Sequence, residues 1–103
     1  MSDSEEIERE VAFGALGGWK KTFEAALKRY CEHCRRLPLR ELQRRPRVLI
    51  DFNLWVDPKE AATGKPMGGL SFDGAVSVMT ERVQRGIADP YAILGTLARE
   101  CDK

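Results

Sequence analysis

Cys31, His33 and Cys34 stand together in CEHC, inside the stretch KRYCEHCRRLPLRELQRRPR (28–47) that also holds eight basic side chains. These residue types support three chemistries: thiolate and imidazole ligation of zinc, thiol–disulfide exchange, and contact with phosphates. The first is limited by helix geometry. Cys31 and Cys34 are i, i+3 neighbours that could reach one ion, but His33 projects about 160° from Cys31 and about 100° from Cys34. The remaining thiol, Cys101, falls on the apolar face of its own predicted helix. Without a carboxylate or a second subunit the chain does not fill a four-ligand structural site, so no metal and no other cofactor is expected. The redox reading meets a similar obstacle. Disulfide oxidoreductases place Cys-x-x-Cys at a helix N-terminus, where the dipole lowers the thiol pKa, whereas this pair lies near a C-terminal end. Cys34 and Cys101 read as small core residues, and Cys31 as a more exposed thiol beside Arg35 and Arg36.

The basic run makes a stronger case. Residues 28–47 carry eight bases against Glu32 and Glu41, a net of +6, while residues 1–10 carry five acids against Arg9, a net of −4. Glu24 with Lys28 and Glu32 with Arg36 are i, i+4 pairs in the favourable orientation, so part of the charge is expected to pair on a solvated helix face. Arg40, Arg44, Arg45 and Arg47 remain as the candidate phosphate contacts, with the acidic N-terminal segment as their competitor. The two C-terminal helices, separated by GIAD, have helix-turn-helix length. The second offers a base edge only Arg99 and Lys103 against Glu100 and Asp102, so an ordinary helical hairpin is expected.

A further motif lies in VLIDFNLWVD (48–57), which resembles the opening strand of PIN-domain ribonucleases, where an apolar strand leads into Asp-x-Asn or Asp-x-Ser. The resemblance covers ten residues and implies Asp51 as a divalent-metal ligand with Asn53 in support. The chain departs from the family downstream: 46 residues follow Asp57, and no second strand of a parallel sheet is evident in them. Read from the residues alone, Asp51 is a strand-borne carboxylate held by hydrogen bonds. His33 is the single histidine, no Gly-x-Ser-x-Gly occurs, and Gly68 and Gly69 beside Lys65 fall short of a phosphate loop. No catalytic residues are assigned and an enzyme is not expected.

The elements that must position these residues follow from periodicity. A chain of 103 residues, 43% hydrophobic and 32% charged, predicts one small globular domain over 1–103, with residues 1–4 disordered. No apolar run approaches the roughly 20 residues that cross a bilayer, and MSDSEEIERE is acidic where a secretory signal is basic and then apolar. No membrane partner is expected, and three cysteines, an odd number, suit a reducing cytoplasmic location. Ser4 caps a first helical segment marked by Ile7 and Val11 and interrupted around Gly14, Gly17 and Gly18, unless the segment runs on continuously. Trp19, Phe23, Ala26, Leu27, Tyr30, Cys34 and Leu37 then share one side of a helix that Pro38 ends, and Leu39 to Arg45 add a further turn closed by Pro46.

Residues 47–56 predict a strand with Val48, Ile50, Phe52, Leu54 and Val56 on one face and Leu49, Asp51, Asn53 and Trp55 on the other. A lone strand leaves backbone groups unpaired, so its neighbour is either GGLSFDG (68–74) or the same strand of a second copy, giving a homodimer through 47–56. Asp57, Pro58, Glu60 and Gly64 frame a short helix with a capping box. Helices starting after Ser71 or Asp73 and at Asp89–Pro90 bury Phe72, Val76, Met79 and Val83, and Ile93, Leu94, Leu97, Ala98 and Cys101. The fold class is therefore mainly helical α+β, a helical hairpin or small bundle around a single strand or short two-stranded sheet. Trp55, Met67, Leu70 and Phe72 carry more apolar bulk than one strand hides. They point to a noncatalytic regulatory or adaptor protein that binds another protein, with nucleic-acid binding through Arg40, Arg44, Arg45 and Arg47 as the alternative.

Overall fold

The computed structural model describes residues 15–103, and side chains from Gly18 onward. The predicted Ser4 cap, the Ile7–Val11 face and the disorder of residues 1–4 lie outside the described residues. The described chain is mainly helical α+β: α1 (Ala15–Arg36), α2 (Leu39–Arg44), a hairpin of β1 (Val48–Asp51) and β2 (Leu54–Val56), α3 (Pro58–Ala62), α4 (Phe72–Gln84) and α5 (Pro90–Cys101).

The long first helix organises the rest. Trp19, Phe23, Leu27, Tyr30 and Cys34 are all buried, recurring at three- and four-residue spacing, and α1 packs against α3, α4 and α5. Gly17 and Gly18 do not interrupt it, although glycine costs about 1 kcal/mol against alanine inside a helix. The anchoring of Trp19 offsets that cost. Its ring stacks on Phe23 at 5.0 Å between centroids, and its Nε1 donates to the Pro90 carbonyl at 3.1 Å, which ties the start of α1 to the start of α5.

The ten-residue strand is corrected to a hairpin. Polar turn formers flank Phe52, and the chain folds back there, pairing Val48 with Val56, Leu49 with Trp55 and Asp51 with Leu54 in antiparallel register. The register slips by one residue between Leu49 and Asp51, so Ile50 bulges inward and is buried. β1 and β2 pair with each other, so GGLSFDG does not supply the strand partner, and each strand keeps one open edge among the described residues. Val48, Ile50, Leu54 and Val56 face the helices as expected, whereas Phe52 is turned out at the hairpin tip with φ +30°. Arg82 of α4 donates Nε to Asp51 Oδ2 at 2.9 Å, which pins the end of β1 to the helix behind it.

The caps follow the sequence signals with one exception. Asp57 accepts from Lys59 N, Ser71 from Gly74 N, and Asp89 from Tyr91 N and Ala92 N. The capping box at Glu60 does not close, because the Asp57 N–H donates to the Pro66 carbonyl at 2.9 Å. Residues 68–74 form a tight turn and then the start of α4 instead of a strand: Met67 bridges Leu70 across Gly68 and Gly69, whose φ of +56° and +88° few other residues adopt. In α5, Ile93 and Leu97 are buried, and Ala98 is exposed where the apolar face had been extended to it.

Phe52 gains nothing from burial, being 85% exposed, and sits in a backbone region that costs a non-glycine residue about 1 kcal/mol. Phe52→Gly is expected to hold the unfolding free energy measured in urea or raise it by up to that amount. A drop of 1 kcal/mol or more would show that the ring has a packing role in the isolated domain.

Candidate binding surface

The outer face of the hairpin is uncovered among the described residues. Its centre is the cross-strand pair Leu49 and Trp55, 45% and 42% exposed although both are large apolar residues. Arg47 places its guanidinium carbon over the Trp55 ring, 5.2 Å from the centroid, a cation–π contact. Beside it lies a cavity of about 290 Å³ lined by Arg47, Leu54, Trp55, Met67 and Leu70, with Asp57 and Glu60 as its acids. A two-stranded sheet has two faces, and the described residues supply helices for one of them and cover for neither Leu49 nor Trp55 on the other.

The structure brings together three of the four predicted partner-binding residues. Trp55 and Leu70 are exposed there, but Met67 is 4% exposed and belongs to the core, with its edge forming the cavity floor. The tight Gly68–Gly69 turn tucks it inward. Phe72, the first residue of α4, is half-buried and lines a separate cavity with Lys28, Cys31, Arg35 and Gly64. Two surface residues were missed. Strict alternation placed Phe52 on the core face and left Leu49 without a role. Asp51 and Asn53 on either side of Phe52 are the signal that could have marked a turn.

The arginine quartet is dispersed in its bonding. Arg40 and Arg44 are exposed. Arg45 is half-buried, donates Nη2 to the Lys103 carbonyl at 3.2 Å and lies 3.6 Å from Glu41, while its Nε is buried without a partner. Arg47 rides on Trp55. A groove of about 680 Å³ runs past Arg44, Arg45, Arg47 and Leu49, and it also holds Glu41 and Glu100, the latter bonded to Lys103 Nζ at 2.8 Å. The expected Glu24–Lys28 and Glu32–Arg36 pairs are absent from the ion pairs among the described residues, which are Arg45–Glu41, Arg82–Asp51, Arg85–Glu81 and Lys103–Glu100. Exposed pairs gain less than about 1 kcal/mol in water and must order two long side chains, which is reason enough for them to stay open.

Cys31 is corrected from an exposed thiol to a buried one. Because α1 is packed by helices on more than one side, its apolar arc widens to take in Cys31 next to Tyr30 and Cys34. Burial pushes the Cys31 thiol up from the ordinary 9.0 to about 11, and the opposing pull of Arg35 is smaller. Burial likewise raises Cys34, Cys101 and the Tyr30 phenol. Cys101 of α5 is near enough to disfavour charge on both α1 thiols, so three protonated thiols from two helices share one region of the core. Among the described residues no group of three or more His, Cys, Asp or Glu side chains could hold a metal ion. Asp51, the residue implicated by the ribonuclease resemblance, is engaged by Arg82 instead. His33 contributes a buried Nε2 without a hydrogen-bond partner.

The thiols make stability fall in alkali. A folded-state pKa of about 11 against 9.0 when exposed means that the unfolded chain loses its proton first. The stabilisation is therefore fully present below about pH 9 and lost as pH rises through about 11. The urea midpoint is expected to fall between about pH 8 and about pH 10, less steeply in Cys31→Ala. An identical slope in that variant would contradict the assignment. The chain matches no protein-family model, no curated protein and no solved structure.

Proposed function

We propose that the protein is a small noncatalytic adaptor or regulatory domain that binds another protein through the outer face of the β1–β2 hairpin. The supporting observation is the exposed Leu49–Trp55 pair with Phe52 projecting at the tip from a strained backbone position. Rigid aromatic anchors of this kind carry a large share of binding energy at interfaces, because they bury much area and lose little side-chain freedom. Arg47 adds a cation over the indole. The partner is another protein, a second copy of this chain through residues 47–56 included, and the reduced thiols suit a cytoplasmic setting. No helix among the described residues is long and apolar enough to cross a membrane.

The alternative is nucleic-acid binding by Arg40, Arg44, Arg45 and Arg47, and it draws support from the exposed Arg40 and Arg44 beside the large groove. The engagement of Arg45 and the presence of Glu41 and Glu100 in that groove weigh against it.

Trp19 is buried and Trp55 is 42% exposed, so binding on the hairpin face reports chiefly by a shift in the Trp55 emission. A protein co-purified from the native host is expected to shift that emission and raise the mass measured by light scattering. Leu49→Ser is expected to weaken the complex about 30-fold or more, roughly 2 kcal/mol. Unchanged affinity in Leu49→Ser with an intact fold sinks the hairpin reading. For the alternative, Arg40→Ala with Arg44→Ala should flatten the salt dependence of any duplex or single-strand affinity.

A further inference from the structure

A second cavity, independent of the hairpin face, has the makings of a ligand site. It measures about 330 Å³ and is lined by Lys28, Cys31, Arg35, Gly64 and Phe72, within the size range in which small-molecule sites fall. The helical spacing explains the grouping. Lys28, Cys31 and Arg35 are i, i+3 and i+7 on α1, so they form one stripe, the Cα atoms of the two cationic residues about 10 Å apart along the axis and Cys31 between them. Phe72 comes from the first turn of α4. Gly64 contributes bare backbone after α3, at a φ of +87°, and a Cβ there would meet nothing within 4 Å, so this side of the cavity is open.

The walls divide by chemistry. Phe72 and Cys31 are apolar, and burial keeps the thiol protonated at neutral pH. No carboxylate lines the cavity, and neither Lys28 nor Arg35 makes an ion pair or hydrogen bond among the described residues. Two cations outside any ion pair therefore flank an apolar floor, with Glu32 near Cys31 as the neighbouring acid outside the lining. One guanidinium can bind a planar carboxylate or sulfonate in a forked geometry, while the lysine acts as a point charge on its other side.

We propose that this cavity binds a small amphipathic organic anion, with an aryl group against Phe72 and Cys31 and a carboxylate or sulfonate held between Lys28 and Arg35. The site neither depends on the hairpin surface nor requires its function. Oxidation of Cys31 is no part of it, and the thiol contributes contact area and shape.

The test is titration of the full-length, ¹⁵N-labelled chain with naphthalene-1-sulfonate as the probe, followed by amide chemical shifts. The expected result is saturable binding with a Kd below about 1 mM. The shifts should be confined to residues 28–35, 63–65 and 71–75, and affinity should fall as salt is raised. Naphthalene-1-methanol, the neutral counterpart, should bind at least about tenfold more weakly, as should the sulfonate to Lys28→Gln with Arg35→Gln. Both positions are exposed, so the double variant keeps the fold, which the same spectra check directly. Any of three results overturns the proposal: no saturable shifts, shifts centred on Leu49 and Trp55, or equal affinity for the neutral probe or in the double variant.

Discussion

Burial of one apolar stripe of α1 is the constraint on which the remaining structure depends. At every turn from Trp19 to Cys34 that helix presents a side chain that must leave water, and α3, α4 and α5 are the surfaces that receive it. Fully burying a large apolar side chain contributes about 1.5–3 kcal/mol, so five or six such residues on one helix outweigh any single polar contact in the molecule. The indole of Trp19 fixes the angle at which this happens, because its one hydrogen bond reaches the backbone at the start of α5. A small domain has few spare contacts, and this bond adds a polar tie to the apolar packing of α1 on α5.

The hairpin is secondary to that core and draws its form from it. The chain reverses at Phe52 and Asn53 with Val48, Ile50, Leu54 and Val56 all packed on the helices, and the one-residue slip at Ile50 lets both strands keep their apolar side inward. The ion pair between Arg82 and Asp51 then holds the reversing end in place. Its consequence is functional. A sheet of two strands packed on one side presents Leu49, Trp55 and the Phe52 ring on the other, and nothing in the described chain covers them.

Local competition decided the polar chemistry. At Cys31 the desolvation of a thiolate outweighs the attraction of Arg35, so a motif that suggests metal or redox chemistry becomes protonated core. Arg45 turns to the carbonyl of Lys103 and to Glu41, which removes one member of a quartet that looked equivalent as letters. Lys28 and Arg35 remain unpaired above Cys31, and they give the neighbouring cavity its sign.

Helix positions, Asx and Ser caps, proline stops and the buried face of α1 were legible in the sequence, since each depends on residues within a turn or two of one another. The position of Asp51 on a strand and its hydrogen-bonded state were legible too, though not the identity of Arg82 as its partner. The reversal at Phe52 was not, because strict alternation across 48–56 is equally compatible with one long strand or two short ones. Asp51 and Asn53 beside Phe52 favour the second, and packing against the helices decides it. The depth of Cys31, the inward tuck of Met67 and the exposure of Leu49 were likewise decided by tertiary contact. Whether a side chain is wet or dry depends on what arrives from elsewhere in the chain, and periodicity along one element carries no record of it.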